Sequence, residues 1–301
     1  MKKLSRKLFI ACLAVAFAVI ALGTSTYAWL VVSRTASVDP FEGSVKAGDG
    51  SIEVSIDDTN WKTSITSDDF TNLKSANFVS FNDVTYNGEK FKKFAIDSVN
   101  KSASLTDIGT LADNKDILGT AGILKFEFSV RLAQDTSNDT QKLYLDLSNS
   151  LITEGAGNNS SWTPDKTVGT DIEQGTATEK FIVSNAARVM VKLGTDTAVI
   201  LEKGAGQNDN TAGLQTNTDT TGAMGYLKAR TEITDNAKIP ASTNYTTQAI
   251  NGSTDIELGT VSKTATKVTV IVWLEGYDYD CINALYKQIL SVKLGLTLGE
   301  N

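Results

Sequence analysis

The chain has 301 residues, 41% of them apolar, with 28 basic residues against 35 acidic ones and no histidine. That apolar share is enough to fill a core, and the acidic balance repels nucleic-acid phosphates. The missing imidazole excludes Ser-His-Asp and Cys-His catalysis, an HExxH zinc protease and any His-ligated metal centre.

The first residues, "MKKLSRK", carry four positive charges, and the run from Leu8 to Leu22 carries none. These are the n-region and h-region of an export signal. Thr26 and Ala28 stand at the minus-three and minus-one positions before Trp29, which places the cut after Ala28 and makes 1–28 a signal peptide. An uncleaved anchor stays open, because the apolar run is shorter than a span of about 20 residues but grows long enough if it continues through "YAWLVV". Cleavage removes four basic residues and Cys12. It leaves 24 basic against 35 acidic residues, a net charge of −11, with Cys281 as the one thiol. A single cysteine forms no internal disulfide, and without an imidazole to activate it Cys281 reads as a small buried apolar residue.

The segment that follows, "WLVVSRTASV", alternates Trp29, Val31, Ser33 and Thr35 with Leu30, Val32, Arg34, Ala36 and Val38 until Pro40 stops it. A strand at a freed terminus pairs with its own sheet or with a neighbour's. Farther along, Ile52, Val54 and Ile56 mark a strand before an Asp/Asn turn and Trp61, and Asn87-Gly88 marks a hairpin. In "GILKFEFSVRLAQ", Leu124, Phe126, Phe128, Val130 and Leu132 form one apolar face opposite Lys125, Glu127, Ser129 and Arg131. Leu143, Leu145 and Leu147 repeat the period of two. The polar stretches 154–180 and 203–260 read as surface loops or hairpin excursions rather than core.

In "KVTVIVWLEG", Val268, Val270, Val272 and Leu274 face one way and Ile271 and Trp273 the other, as a strand apolar on both sides requires. "CINALYKQI" has a short helical spacing, and Leu290, Val292, Leu294, Leu296 and Leu298 close the chain with a last half-buried strand. The pattern predicts an all-β fold, an antiparallel β-sandwich of jelly-roll type with long polar loops and at most one or two short helices. It forms a single domain over 29–301.

Chemistry is sparse. "WLEGYDYDC" places Glu275, Asp278 and Asp280 at a strand end, where carboxylates serve either a glycosidase pair or calcium, which takes oxygen ligands from loops. Acids at a loop are usually solvated, and the spacing of an EF-hand loop is absent. The expectation is therefore no catalytic residue and no cofactor, with calcium as the one candidate ion. Trp162, Tyr226 and Tyr245, in the long loops, are the aromatics that a surface adhesin or carbohydrate-binding module would use.

The stretch "GTSTYAWLVVSRTASVDPFEGSVKAGDGSIEVSI" resembles the N-terminus of the TasA/camelysin family of exported biofilm-matrix proteins. Gly23, Thr26, Tyr27, Ala28 and Trp29 match the segment that marks cleavage by that family's dedicated signal peptidase. The likeness covers about the first 55 residues. "FEFSVRL" and "VWLEGYDYDC" look like segments of a broader group of exported Gram-positive-type proteins. The resemblance implies a sandwich fold and extracellular assembly into fibres. The freed segment, with Trp29, Leu30, Val31, Val32, Arg34, Ala36 and Val38, would add a strand to the next copy. The implied partners are further copies, the signal peptidase during export and a cell-wall or matrix polysaccharide, with no nucleic acid, at the cell surface or in the matrix. The loops are longer than in TasA itself, and the protease activity attributed to camelysin finds no His-based zinc site. A monomeric adhesin or carbohydrate-binding module, and a membrane-anchored surface protein that keeps its N-terminal helix, are the alternatives.

Overall fold

The computed structural model describes residues 42–47, 52–66, 69, 81, 83–97, 99–110, 122–154, 183–203, 240, 245, 247–250, 254–276, 278, 281 and 290–299. All of them fall within the unit spanning 36–301. The expected cleavage site and donor strand, Thr26 to Val38, lie outside the described residues, as do Trp162, Tyr226, Asp280 and the expected helix after Cys281.

Fourteen described strands form two sheets, and the fold is all-β. In the first sheet the order is β12 (Ile256–Ser262), β8 (Thr140–Glu154), β14 (Leu290–Leu298), β1 (Glu42–Ala47) and β3 (Ser64–Ile65). The second is built around β13 (Thr266–Glu275). On one side of it lie β9 (Ala187–Leu193), β10 (Val199–Glu202) and β11 (Gln248–Ala249). On the other side, β7 (Ile123–Leu132) pairs with 266–273 and carries β2 (Ile52–Ser55), while β4 (Asp83–Tyr86) pairs with 274–275 and carries β5 (Lys90–Asp97) and β6 (Ser102–Thr110). The one described helix, α1 (Val183–Ala186), is a single turn.

Alternation decides which side chains meet. Leu124, Phe126, Phe128, Val130 and Leu132 of β7 share one core with Val268, Val270, Val272 and Leu274 of β13 and with Val189, Val191 and Leu193 of β9. Across the sandwich they face Leu143 and Leu145 of β8 and Leu290, Val292, Leu294 and Leu296 of β14. Each such buried side chain contributes about 1.5–3 kcal/mol. Cys281 is buried in the same core.

Three expectations change. The sheets are mixed rather than purely antiparallel: β1 runs parallel to β14, β4 to β13 and β10 to β11. The polar stretch 203–260 is not wholly outside the core, because Ile250, just after β11, and Leu258 of β12 are buried in it. Strand β7 is not half-buried: Lys125 and Ser129 on its second face are buried too, because that face is partly covered.

Local polar chemistry shapes the turns. At Asn87-Gly88 the hairpin joins β4 to β5, Gly88 has φ +89°, and the Asn87 side-chain Oδ1 accepts from the Glu89 and Lys90 backbone amides. Asp57 with Asn60, Asp97 with Asn100 and Asp146 with Asn149 repeat one device. One carboxylate oxygen accepts the amide three residues on, and the other accepts from the Asn side chain at 2.6–2.7 Å. The third of these turns interrupts β8: Lys293 faces Leu151 but Gly295 faces Asp146, so 147–150 bulge out. Gly295 is needed there, since a Cβ on it would stand 2.9 Å from the Asp146 carbonyl oxygen.

Candidate functional site: a buried charged cluster and the sheet edges

The outer face of the second sheet builds a site. Register places Ile123, Trp273, Arg188 and Glu202 side by side across β7, β13, β9 and β10, with Lys125, Ile271, Met190 and Ile200 as the adjacent row. The β4–β5 hairpin covers this end, and Val84, Tyr86 and Phe91 join Trp273, Ile271, Met190 and Ile200 in a second apolar cluster. Phe91 meets Trp273 edge-on at 5.3 Å between ring centroids, Tyr245 meets it at 6.0 Å, and Tyr86 stacks on Phe91 at 4.8 Å. Such separations are those at which aromatic pairs attract.

Charges are buried beside the rings. Arg188 and Glu275 are each 0% exposed. The Arg188 guanidinium donates to Asp278 Oδ2 at 2.7 Å and to the Asn185 and Ala187 carbonyl oxygens, and its Nε stands 3.4 Å from Glu202 Oε2. Glu275 Oε2 accepts from the Tyr245 hydroxyl at 2.7 Å and from Trp273 Nε1 at 3.2 Å. Burial works against the charge on Arg188, but Asp278, Tyr245, Glu202 and Glu275 outweigh it and hold the guanidinium above its ordinary value. Burial, and then the charge of Glu275, push the Tyr245 hydroxyl well above its usual range.

This arrangement reassigns the acids expected at the end of β13. Glu275 and Asp278 are buried and satisfied by protein donors, so they hold the turn after β13 and the segment at Tyr245 against the sheet. Asp280 lies outside the described residues. Among the described residues no group of three or more Cys, Asp or Glu side chains could hold a metal ion. Tyr245 is half-buried in the aromatic cluster rather than displayed on a loop. Arg188 is not among the residues that the pattern singles out. Its signal is an arginine alternating with Ala187, Val189, Val191 and Leu193 in a strand that also needs a counter-charge for the acids of "WLEGYDYDC".

No family model, curated protein or solved structure matches the chain. The N-terminal resemblance therefore stands on its own residues.

The other functional feature is the set of sheet edges. Strands β3 and β11 have two residues each, and β2 has four. Strand β12 shifts register between Glu257 and Gly259, and Asp196 packs so closely on Gly259 that a Cβ there would meet its carboxylate. Shortness, a bulge and a packed charge are devices that keep an edge from pairing. Strand β6 has nine residues and pairs with β5 alone among the described residues; it too carries a bulge, at Ile108, and a charge, Asp107, held by Lys90 and Lys92.

Proposed function

We propose that the chain is an exported, non-enzymatic structural protein of the cell surface or biofilm matrix that assembles into fibres, each copy adding its N-terminal strand to a sheet of the next. The observation that carries this reading is the segment "WLVVSRTASV", a strand pattern released at the new N-terminus by cleavage after Ala28 and placed directly ahead of β1. A strand added to a sheet edge satisfies its backbone donors and acceptors on the acceptor's ladder, while alternate side chains give specificity. Two observations support it further. The sandwich has a large apolar core that needs no disulfide, and the buried acids near Trp273 are engaged with Tyr245 and Arg188. The reading requires no cofactor. Calcium, a matrix polysaccharide and the export peptidase enter it only as accessories.

The test is deletion of residues 29–38 in the exported protein, followed by negative-stain electron microscopy over days at rising concentration. Fibres from the intact protein and dispersed particles from the deletion are expected. Unchanged fibres after the deletion would reject strand addition. A protein that stays monodisperse when intact and binds cell-wall glycans would favour the adhesin reading.

A further inference from the structure

We propose that Asn87 is a site of self-modification, in which the Gly88 backbone nitrogen attacks the Asn87 carboxamide. Hydrolysis of the resulting succinimide leaves aspartate or isoaspartate in the turn of the β4–β5 hairpin. The site goes beyond the assembly reading, since it needs neither export nor residues 29–38.

The turn activates the carboxamide. Asn87 Oδ1 accepts from the Glu89 amide at 3.0 Å and from the Lys90 amide as well. Two converging N–H donors fix that atom as the oxygen of the side chain. They also stand where negative charge develops when Cγ is attacked, the arrangement by which backbone amides stabilise an oxyanion.

The turn also leaves the nucleophile open. Gly88 is exposed, and a Cβ added to it would meet nothing within 4 Å. Its carbonyl oxygen accepts from the Tyr86 hydroxyl at 2.7 Å, whereas its N–H donates to no acceptor among the described residues. With no side chain on Gly88, base and water reach the nitrogen. The attacking and attacked atoms belong to neighbouring residues, so ring closure needs no second molecule to be brought into place.

Asn60, Asn100 and Asn149 differ on both counts. Each donates its Nδ2 to an aspartate carboxylate, at 2.6–2.7 Å. Each is followed by a residue with a side chain, Trp61, Lys101 and Ser150. There the leaving nitrogen is held and the nucleophile is shielded.

In the reaction the Gly88 nitrogen gives its proton to a solvent base and forms a bond to Asn87 Cγ. The oxyanion at Oδ1 collapses, the Cγ–Nδ2 bond breaks, and Nδ2 takes a proton from water and leaves as ammonia. Water then adds to either carbonyl of the ring and reopens it. Nothing is oxidised or reduced. The product gains a negative charge, and isoaspartate lengthens the backbone in the turn that sets Tyr86 and Phe91 against Trp273.

The experiment is incubation of the purified, folded full chain in mildly alkaline buffer made with heavy-oxygen water. A parallel sample is held unfolded in urea, and both are followed by peptide mapping. Asn87 of the folded chain should become an acid carrying heavy oxygen at least as fast as in urea. Asn60, Asn100 and Asn149 of the folded chain should convert at least about tenfold more slowly. Gly88→Ala places a methyl group beside the nitrogen and should slow conversion at Asn87 at least about tenfold. An Asn87 that stays intact in the folded chain, or converts more slowly there than in urea, would overturn the proposal, because the fold would then protect it. Equal rates at Asn87 and the other three asparagines, or no slowing by Gly88→Ala, would overturn it too.

Discussion

Strand β13 has two buried faces of different chemistry. Its inner face, Val268, Val270, Val272 and Leu274, meets only apolar neighbours across the sandwich. Its outer face runs from Thr269 through Ile271 and Trp273 to Glu275, toward Arg188, Asp278 and Tyr245. The inner face is stabilised by area and tolerates no hole. The outer face depends on every buried charge keeping its partner, since an unpaired buried charge costs more than the pair contributes.

The largest expected effects lie in that contrast. Arg188→Met should destabilise by about 3–5 kcal/mol in urea unfolding, because Asp278 and Glu202 are left buried without their counter-charge. Adding Asp278→Asn and Glu202→Gln should recover much of the loss. Phe128→Ala on the inner face should cost a similar amount, about 3–5 kcal/mol, through a cavity that no polar substitution repairs. If the triple variant were no more stable than Arg188→Met, the outer face would not be governed by charge pairing.

Tyr245→Phe removes one donor to Glu275 and should cost about 1–3 kcal/mol, the range for a buried acceptor losing a partner. Near-ultraviolet circular dichroism should change with it, since Tyr245 packs on Trp273. Gly88→Ala isolates the turn that places Tyr86 and Phe91 over Trp273. An added Cβ meets nothing within 4 Å, so its expected cost of about 1 kcal/mol is the positive φ alone.

The smallest effect is in acid. Asp57 is lowered from 3.8 chiefly by the Asn60 amide, and Asp97 chiefly by the Asn100 amide. A carboxyl lower in the folded than in the unfolded state adds stability that is present above the unfolded value and lost as pH falls through the folded one. The thermal midpoint should therefore stay level on this account down to about pH 4, then fall, and Asp97→Asn should fall less steeply. Equal slopes for the two proteins would remove the Asp–Asn turns from the acid response.

Much of the sandwich is legible in the sequence. The alternation at 124–132, 143–145, 268–274 and 290–296 names inner residues correctly, and Asn87-Gly88 names its turn. The outer cluster is far less so. Trp273 and Ile271 announce a second apolar face, but nothing near them indicates that the cover comes from Tyr86 and Phe91, or that Arg188 answers Asp278 from 90 positions away. Lys125 alternates like a surface residue and is buried by its neighbours. Strand β12 is hidden in a polar composition because its inward residues, Leu258 and Val261 with the partly buried Ile256, are spaced irregularly by a bulge at Leu258.

By itself the sequence determined the pleat: which residues of a strand share a face, where the chain turns, and that no histidine chemistry is available. A period of two is a local property of an extended backbone and survives any sheet it joins. The tertiary structure alone decided the parallel pairing of β1 with β14, the partner of each buried charge, and which strands stand at the sheet edges. Those depend on register between segments far apart in the chain, where hydrogen-bond ladders and coverage by distant loops, not local pattern, set the energy.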